Sequence, residues 1–170
     1  ALHHQPRRQR QMCIRDGLVI DGADEVDASF QLIKGGGAAL LREKLVAQAS
    51  GAMVVVADDR KMVETLGAFP LPIEITRFGH GTTVRAIMSV RGCKAELRMD
   101  GEAPLVTDNG NFIVDAHTGP HLTHPANSEA ALLCLAGVVQ VGLFIGMCDV
   151  VHLAGASGAE RLVRSGGRLA

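Results

Sequence analysis

A single window of this chain places acidic residues, a lysine and a run of glycines between two apolar segments. Leu18-Val19-Ile20 leads into Asp21-Gly22-Ala23-Asp24-Glu25, and Lys34-Gly35-Gly36-Gly37 leads into a helix-forming run at 38–49. A second apolar run follows at 53–57. Apolar runs on either side of a helix predict a βαβ unit with a right-handed crossover, whose parallel strands end at one edge of the sheet. Open α/β sheets bind ligands at that edge, so these polar groups are candidates for a site.

The helix of this unit is predicted at 38–49, with Leu41, Leu45 and Ala49 forming its apolar face. After the second strand the chain continues with Asp58-Asp59-Arg60-Lys61. Because parallel strands end at the same edge, we expect these charged residues near the acidic residues of the first window.

A different pattern begins at Phe69-Pro70-Leu71-Pro72, where two prolines suggest a junction between domains. The segments that follow have the order β-α-β-β-α-β, which fits a small ferredoxin-like domain. Asp108-Asn109-Gly110-Asn111 is an Asn-Gly hairpin signal between two of its strands. The predicted elements are a strand at 73–76, a helix capped by Thr82 or Thr83 and ending near 90, strands at 104–106 and 112–114, a helix at 125–136 and a strand at 138–144. A strand at 150–154 and a final helix from about 159 are expected to return to the first sheet.

The sequence therefore predicts an α/β fold with a Rossmann-like parallel-sheet domain and a smaller ferredoxin-like (βαββαβ) α+β domain. We assign residues 17–70 and 146–170 to the first and 71–145 to the second. Residues 1–16 are polar and basic, without hydrophobic periodicity. This favours a disordered segment or a stretch foreign to the domain, and the alternative is a basic arm for an acidic partner.

Composition argues against several classes of partner. The chain has 170 residues, 47% of them hydrophobic, enough to bury a core in one domain or two small ones. A net charge of −1, no Trp or Tyr and five Phe provide neither a basic field nor stacking surfaces for nucleic acid. No apolar run has the length of a membrane span. The four cysteines include no CxxC pair, so we expect free thiols, a reducing compartment and a cytoplasmic protein.

The first window contains the parts of an acid–base site. Gly35-Gly36-Gly37 allows a ligand to approach the backbone and offers N–H groups just before a helix, where negative charge is favoured. Lys34 is placed to stabilise a developing enolate or alkoxide, and Glu43 is placed to act as a general base. Asp21 and Asp24 can accept hydrogen bonds from the hydroxyls of a polyol. Each feature also has a structural alternative: a tight loop, a solvated lysine, a paired surface acid, or turn and cap residues.

Five segments carry further information because they occur together and in this order. They are Asp21-Gly22-Ala23-Asp24-Glu25, Ile33-Lys34-Gly35-Gly36-Gly37-Ala38-Ala39-Leu40, Arg42-Glu43-Lys44, Phe69-Pro70-Leu71-Pro72 and Thr107-Asp108-Asn109-Gly110-Asn111. From about Gly17 to the C-terminus the chain resembles ribose-5-phosphate isomerase of type A. The resemblance implies a cytoplasmic homo-oligomer, a dimer or tetramer. It also implies interconversion of ribose 5-phosphate and ribulose 5-phosphate in the non-oxidative pentose phosphate pathway, with no metal or organic cofactor.

The resemblance also implies roles for individual residues. Glu43 matches the family's base, which moves a proton between C2 and C1 through an enediolate. Lys34 and the backbone of Gly35 to Gly37 match the groups that hold the charged oxygen. Asp21-Gly22-Ala23-Asp24 matches the loop that binds sugar hydroxyls and assists ring opening, and Lys61 matches a lysine that contacts substrate. The Rossmann-like domain is thereby expected to be the catalytic one.

One expected segment is not found before Gly17. The family normally begins with a βα segment whose Thr/Ser/Gly-rich loop grips the substrate phosphate. We therefore expect a fragment that lacks the phosphate anchor, binds substrate poorly and turns over slowly. Two other functions stay open: a non-enzymatic sugar-phosphate sensor, which has no need of the pair formed by Glu43 and Lys34, and a related sugar-phosphate isomerase or deaminase.

Overall fold

The computed structural model describes residues 17–156 and 158–169, and the predictions for residues 1–16 lie outside them. This part of the chain forms three four-stranded sheets, a two-stranded ribbon and three α-helices. The helices are α1 (Leu40–Ala49), α2 (His80–Arg91) and α3 (Pro125–Leu133). The strands are β1 (Leu18–Asp21), β2 (Glu25–Asp27), β3 (Leu32–Ile33), β4 (Ala52–Asp58), β5 (Met62–Val63), β6 (Leu71–Ile75), β7 (Ala95–Leu97), β8 (Met99–Asp100), β9 (Ala103–Pro104), β10 (Phe112–Ala116), β11 (Val138–Val141), β12 (Leu143–Phe144), β13 (Val150–Gly155) and β14 (Gly158–Val163).

The first sheet has the order β1-β4-β13-β14. Strands β1, β4 and β13 are parallel, and β14 pairs antiparallel at the edge. Met53, Val55 and Val151 are fully buried on one face of this sheet. The predicted βαβ unit is confirmed, since α1 connects β1 to the parallel strand β4. None of the helices in the described residues is long and apolar enough to cross a membrane.

Helix α1 differs from its prediction in both start and buried face. It begins at Leu40 because Gly35 and Ala38 have positive φ angles of 115° and 61°, which keep the preceding loop out of the helix. Its buried residues are Leu40, Lys44 and Ala47, whereas Leu45 is 57% exposed. The predicted face through Leu41, Leu45 and Ala49 is therefore wrong, because a buried lysine occupies the inward side.

The ferredoxin-like prediction is confirmed by the second sheet, which has the order β11-β6-β10-β7 with every pair antiparallel. Ile87 of α2 and Leu132 of α3 are fully buried in the core of this sheet. The second strand of the unit is Ala95–Leu97 rather than the predicted 104–106. Within 104–106, Pro104 pairs with Met99 in the two-stranded ribbon, and Val106 forms a bridge to Phe112. The division into domains near residues 70 and 145 stays a prediction.

Both helices of this unit have different ends from those predicted. Helix α2 starts at His80 after Gly79, which has a φ of 69°, so the prediction of a threonine cap is wrong. Thr83 is instead buried, and its hydroxyl donates to the carbonyl of Ala136. Helix α3 begins with Pro125, as predicted, and ends at Leu133.

A third sheet, β12-β3-β2-β5, was not predicted. Its strands have two or three residues each, too few to show an alternating pattern in the sequence. The predicted single strand at 138–144 is divided at Gly142 into two strands, β11 in the second sheet and β12 in the third. A Cβ at Gly142 would lie 2.2 Å from the carbonyl oxygen of Lys34, so only glycine fits this crossing.

The predicted final helix from about 159 is wrong. Residues Gly158–Val163 form β14, which returns to the first sheet along β13 with Val150 opposite Val163. Pairing with β13 satisfies backbone groups that a helix there would leave exposed along that strand.

A buried carboxylate fixes the C-terminal turn to the first sheet. Asp149 is fully buried and accepts hydrogen bonds from the Met53 N–H and from the Arg168 N–H, both at 2.9 Å. The guanidinium groups of Arg164 and Arg168 also donate to it, at 3.0 and 3.1 Å. Burial alone would raise the pKa of Asp149, but these donors outweigh burial and hold the pKa at about 2.

We expect Asp149→Asn to lower the free energy of unfolding at pH 7 by about 2 kcal/mol, because it weakens charge-assisted hydrogen bonds in a buried site. A depressed carboxyl pKa stabilises the fold above the unfolded pKa of about 3.9, and that stability is lost as pH falls toward 2. The deficit of Asp149→Asn should therefore shrink over this range. Urea denaturation at several pH values measures it, with exposed Asp100→Asn as the control; a deficit independent of pH would contradict the account.

Candidate active site

A cleft of about 200 Å³ opens where β1 ends and α1 begins. Its lining brings together nine of the ten residues that the sequence singled out: Asp21, Gly22, Ala23, Asp24, Lys34, Gly35, Gly36, Gly37 and Glu43. The tenth, Lys61, lies in a 3-10 turn (Asp59–Lys61) after β4, and its ammonium is 5.8 Å from the centre of the Phe69 ring. Lys61 does not line the cleft, so its contact with substrate stays a prediction.

Lys34 is the central cation of the cleft. Its side chain is 3% exposed, and its Nζ donates to the carbonyl of Gly22 and lies 2.9 Å from Oδ2 of Asp21. The same Nζ lies 3.3 Å from Oε2 of Glu43. A buried ammonium with two carboxylates at this range is held in one position, with its charge directed into the cleft.

Glu43 is the least satisfied acid of the cleft. Its Oε2 is buried and has no hydrogen-bond partner among the described residues, although the ammonium of Lys34 is close. Burial raises the pKa of Glu43 above its ordinary 4.5, the ammonium of Lys34 opposes the rise, and the carboxylates of Asp21 and Asp24 add to it. A carboxylate with a raised pKa in the lining of a cleft is suited to accept a proton from a bound ligand.

The glycine loop, Gly35-Gly36-Gly37, packs closely against neighbouring side chains and also lines the cleft. A Cβ at Gly35 would lie 2.9 Å from Cδ2 of Leu40, and a Cβ at Gly36 would lie 2.6 Å from Oδ1 of Asp24. The Gly36 N–H donates to Oδ2 of Asp24 at 2.8 Å. Gly37 lines the cleft, and no hydrogen bond from its N–H is found among the described residues, so this N–H is a candidate donor to a ligand.

The helix that carries Glu43 is fixed by the residues on either side of it. The guanidinium of Arg42 lies 2.8 Å from Oδ2 of Asp108 in the Asn-Gly turn. The ammonium of Lys44 is buried, and it pairs with Glu129 and donates to the Val141 carbonyl at 2.7 Å. Burial lowers the pKa of Lys44, and the carboxylate of Glu129 opposes that change. Both contacts tie α1 to the ferredoxin-like unit.

The Asn-Gly turn at 108–111 is fixed by the buried carboxylate of Glu74. Oε1 of Glu74, on β6, accepts from the Thr107 hydroxyl and from the side-chain amides of Asn109 and Asn111 at 2.9–3.0 Å. The motif at 107–111 therefore forms a platform for Arg42 and does not contribute to the cleft lining.

Arg98 is the residue near the site that sequence analysis missed. It lies between β7 and β8, and its guanidinium donates to the carbonyls of Gly35 and Gly36 at 2.8 and 3.0 Å. It is more than sixty residues away in the chain, so no local pattern connects it to the glycine loop.

A short stretch, Val141–Phe144, contacts both Lys34 in the cleft and Lys44 on α1. The Lys34 N–H donates to the Gly142 carbonyl at 2.8 Å, and Lys44 donates to Val141 as described above. The Phe144 ring lies beneath both ammonium groups, 5.4 Å from Nζ of Lys34 and 5.1 Å from Nζ of Lys44. Within residues 17–156 and 158–169, no cluster of His, Cys, Asp and Glu has the arrangement of a metal site.

The structure is that of an α/β protein with a cleft at the end of a parallel strand, lined by acidic residues, a buried lysine and a glycine loop. Comparisons with known proteins agree with this class. A protein-family model for ribose 5-phosphate isomerase A (phosphoriboisomerase A) matches residues 12–158. The chain belongs to this family.

Individual relatives support the assignment. Ribose-5-phosphate isomerase A of Methylorubrum extorquens is 52% identical over 89% of this chain, and that of Rhodopseudomonas palustris is 50% identical over 87%. The chain spans 66% of the length of each of these relatives. Ribose 5-phosphate isomerase from Plasmodium falciparum has a TM-score of 0.84 at 31% identity, over 88% of this chain and 67% of that structure. A D-ribose-5-phosphate isomerase in complex with phospho-erythronic acid has a TM-score of 0.83 at 38% identity, over 87% of this chain and 65% of that structure.

Proposed function

We propose that this chain carries the catalytic centre of an aldose–ketose isomerase that interconverts D-ribose 5-phosphate and D-ribulose 5-phosphate. The observation that supports it best is the meeting of three groups in one cleft: the buried Oε2 of Glu43, the ammonium of Lys34 at 3.3 Å from it, and the backbone of Gly37. A sensor of sugar phosphates has no need of this pair formed by a carboxylate and an ammonium, whereas a proton transfer that develops negative charge uses both.

In the proposed reaction, Glu43 takes the proton from C2 of the open-chain aldose. The electrons of the C2–H bond form a C1–C2 double bond, and the C1 carbonyl oxygen takes up the negative charge of an enediolate. Lys34 and the glycine-loop amides stabilise that charge, which is where preorganised donors act most strongly. The O2 proton passes to O1, and Glu43 returns its proton to C1, which completes the ketose. No electrons leave the sugar, so the step needs no redox cofactor, and Lys34 with the loop amides supplies the charge stabilisation that a metal ion provides in other enzymes.

The acidic loop completes the proposed binding site. Asp24 accepts from the Gly36 N–H through Oδ2, which leaves its Oδ1 for a hydroxyl of the sugar. Asp21 is positioned by the Gly22 N–H at Oδ1 and by the ammonium of Lys34 at Oδ2, and each of these oxygens has a further lone pair for a hydroxyl. Gly22 and Ala23 lie between them in the lining, and Lys61 is proposed as a further contact. We also propose that the protein acts in the non-oxidative pentose phosphate pathway, which the family match and the names of its relatives support. A cytoplasmic homo-oligomer, a dimer or tetramer, is part of the same proposal.

Proton exchange tests the proposal directly. Incubation of the chain with ribose 5-phosphate in deuterated water should introduce deuterium at C1 and C2, measured by NMR. A sensor would bind phospho-erythronic acid and cause no exchange. An isomerase or deaminase of another sugar phosphate would leave ribose 5-phosphate unlabelled and label a different phosphosugar.

The raised pKa of Glu43 predicts the acidic side of the activity profile. A general base works only when deprotonated, so kcat/KM should fall as pH decreases through a pKa above 4.5. The pH dependence of kcat/KM for ribose 5-phosphate measures this value. An acidic limb at or below the ordinary pKa of a glutamate would show that burial does not control the base.

A further inference from the structure

We propose that Arg98 is a positioning residue that orients the amides of the glycine loop toward the ligand. This inference rests on the proposed function and adds to it a residue outside the cleft lining. Arg98 is 16% exposed, and its guanidinium forms two sets of contacts. On one side it donates to both carboxylate oxygens of Asp115, on β10; on the other it donates to the carbonyls of Gly35 and Gly36.

The fork to Asp115 gives Arg98 a fixed direction. A bidentate arginine–carboxylate pair has planar geometry, so the fork through Nε and Nη2 fixes the position of the remaining nitrogen, Nη1. The carbonyls of Gly35 and Gly36 both accept from this Nη1, at 2.8 and 3.0 Å. Arg98 is therefore a rigid link between a strand of the ferredoxin-like sheet and the loop.

Because peptide bonds are planar, the carbonyl contacts with Arg98 also fix the directions of the N–H groups that follow them in the loop. The described residues include no cis peptide bond. In a trans peptide the C=O of one residue points opposite to the N–H of the next. The Gly36 carbonyl accepts from Arg98, and the Gly35 carbonyl accepts from Arg98 and from the Ala38 N–H at 2.9 Å. The N–H groups of Gly36 and Gly37 therefore point away from Arg98. The first is bound to Asp24, and the second is the candidate donor in the cleft lining.

The charge of Arg98 strengthens these donors as well as orienting them. A cation hydrogen-bonded to an amide carbonyl polarises the peptide, and linked hydrogen bonds strengthen one another. The Gly37 N–H then becomes a better partner for an enediolate oxygen. Because this partner matters most when the charge has formed, Arg98 is expected to affect kcat more than KM.

The test compares Arg98→Met, Arg98→Lys and Asp115→Asn with Arg161→Met, a control at an exposed arginine on β14. Arg98→Met should lower kcat roughly 10- to 100-fold, as expected for misplaced catalytic groups, with a much smaller change in KM. Arg98→Lys keeps the charge and can bind one carbonyl, so its kcat should be intermediate. Asp115→Asn weakens the fork and should lower kcat less than Arg98→Met does.

Amide NMR of protein labelled with ¹⁵N-glycine provides a readout independent of turnover. In the free protein the Gly36 and Gly37 signals should move in Arg98→Met and stay in place in Arg161→Met. Phospho-erythronic acid should shift the Gly37 signal in the unmodified chain and shift it less in Arg98→Met. If the unmodified chain catalyses no exchange, the proposed function fails, and the glycine signals still decide the role of Arg98.

Unchanged glycine signals and unchanged kcat in Arg98→Met would overturn the proposal. Should Arg98→Met fail to fold, Arg98→Lys decides by the same two measurements. A rise in KM without a change in kcat would also overturn it, since that result places Arg98 in substrate binding.

Discussion

Glu43→Gln should lower the rate of deuterium incorporation at C2 of ribose 5-phosphate by about 10³-fold, the range expected for loss of a general base. Glutamine has nearly the same shape and can still lie beside the ammonium of Lys34, so the cleft keeps its lining. An amide cannot take the C2 proton, and the loss should therefore appear in kcat while affinity for phospho-erythronic acid changes little. NMR-detected exchange and calorimetric binding measure the two quantities.

The matched control for this prediction is Glu160→Gln, which changes an exposed acid on β14. It should exchange deuterium at the rate of the unmodified chain. Exchange by Glu43→Gln within a few-fold of that rate would remove Glu43 from the role of base. Loss of ligand binding together with exchange would instead indicate a binding role.

Lys34→Met should lower kcat by about 10²- to 10³-fold, because it removes the main donor to a developing oxyanion. The structure adds a second effect. The ammonium of Lys34 opposes the rise in the pKa of Glu43, so its removal should raise that pKa further and move the acidic limb of the kcat/KM profile to higher pH. The pH profiles of the two proteins measure the shift. If Lys34 had only a structural role, Lys34→Met would lower activity without shifting the acidic limb of the kcat/KM profile.

Lys94→Met is the control for the lysine, since Lys94 is 68% exposed and pairs only with Glu96 among the contacts seen. Its rate and its pH profile should match those of the unmodified chain. A limb that moves to lower pH in Lys34→Met would contradict the electrostatic account of the cleft. Thermal unfolding of both variants separates these effects from loss of the fold.

The fold class and the clustering of most candidate residues in one cleft were both predictable from the sequence. Asp21, Asp24, Lys34 and the glycines lie at the ends of segments with clear hydrophobic patterns, and parallel strands bring such ends to one edge. Glu43 follows from its position in the first turn of α1. The side chains of the cleft therefore depend on short-range sequence, which is why nine of ten predicted residues line it.

The errors came from long-range contacts. The buried face of α1 was misassigned because Lys44, a charged residue, is 2% exposed and satisfied by partners on α3 and β11. Strands β2 and β3 are too short to show a period, and β14 pairs with an edge that only the folded sheet presents. Arg98 contacts the loop through backbone carbonyls, for which a sequence carries no residue-specific signal.

The connection through Val141–Phe144 has a consequence for how the molecule tolerates thermal motion. The backbone of Lys34 and the side chain beside Glu43 are both fastened to this one stretch. Because both are bound to this stretch, we expect a displacement of it to move the backbone of Lys34 and the side chain of Lys44 together. A common support of this kind would limit changes in the distance between Lys34 and Glu43, the residue next to Lys44.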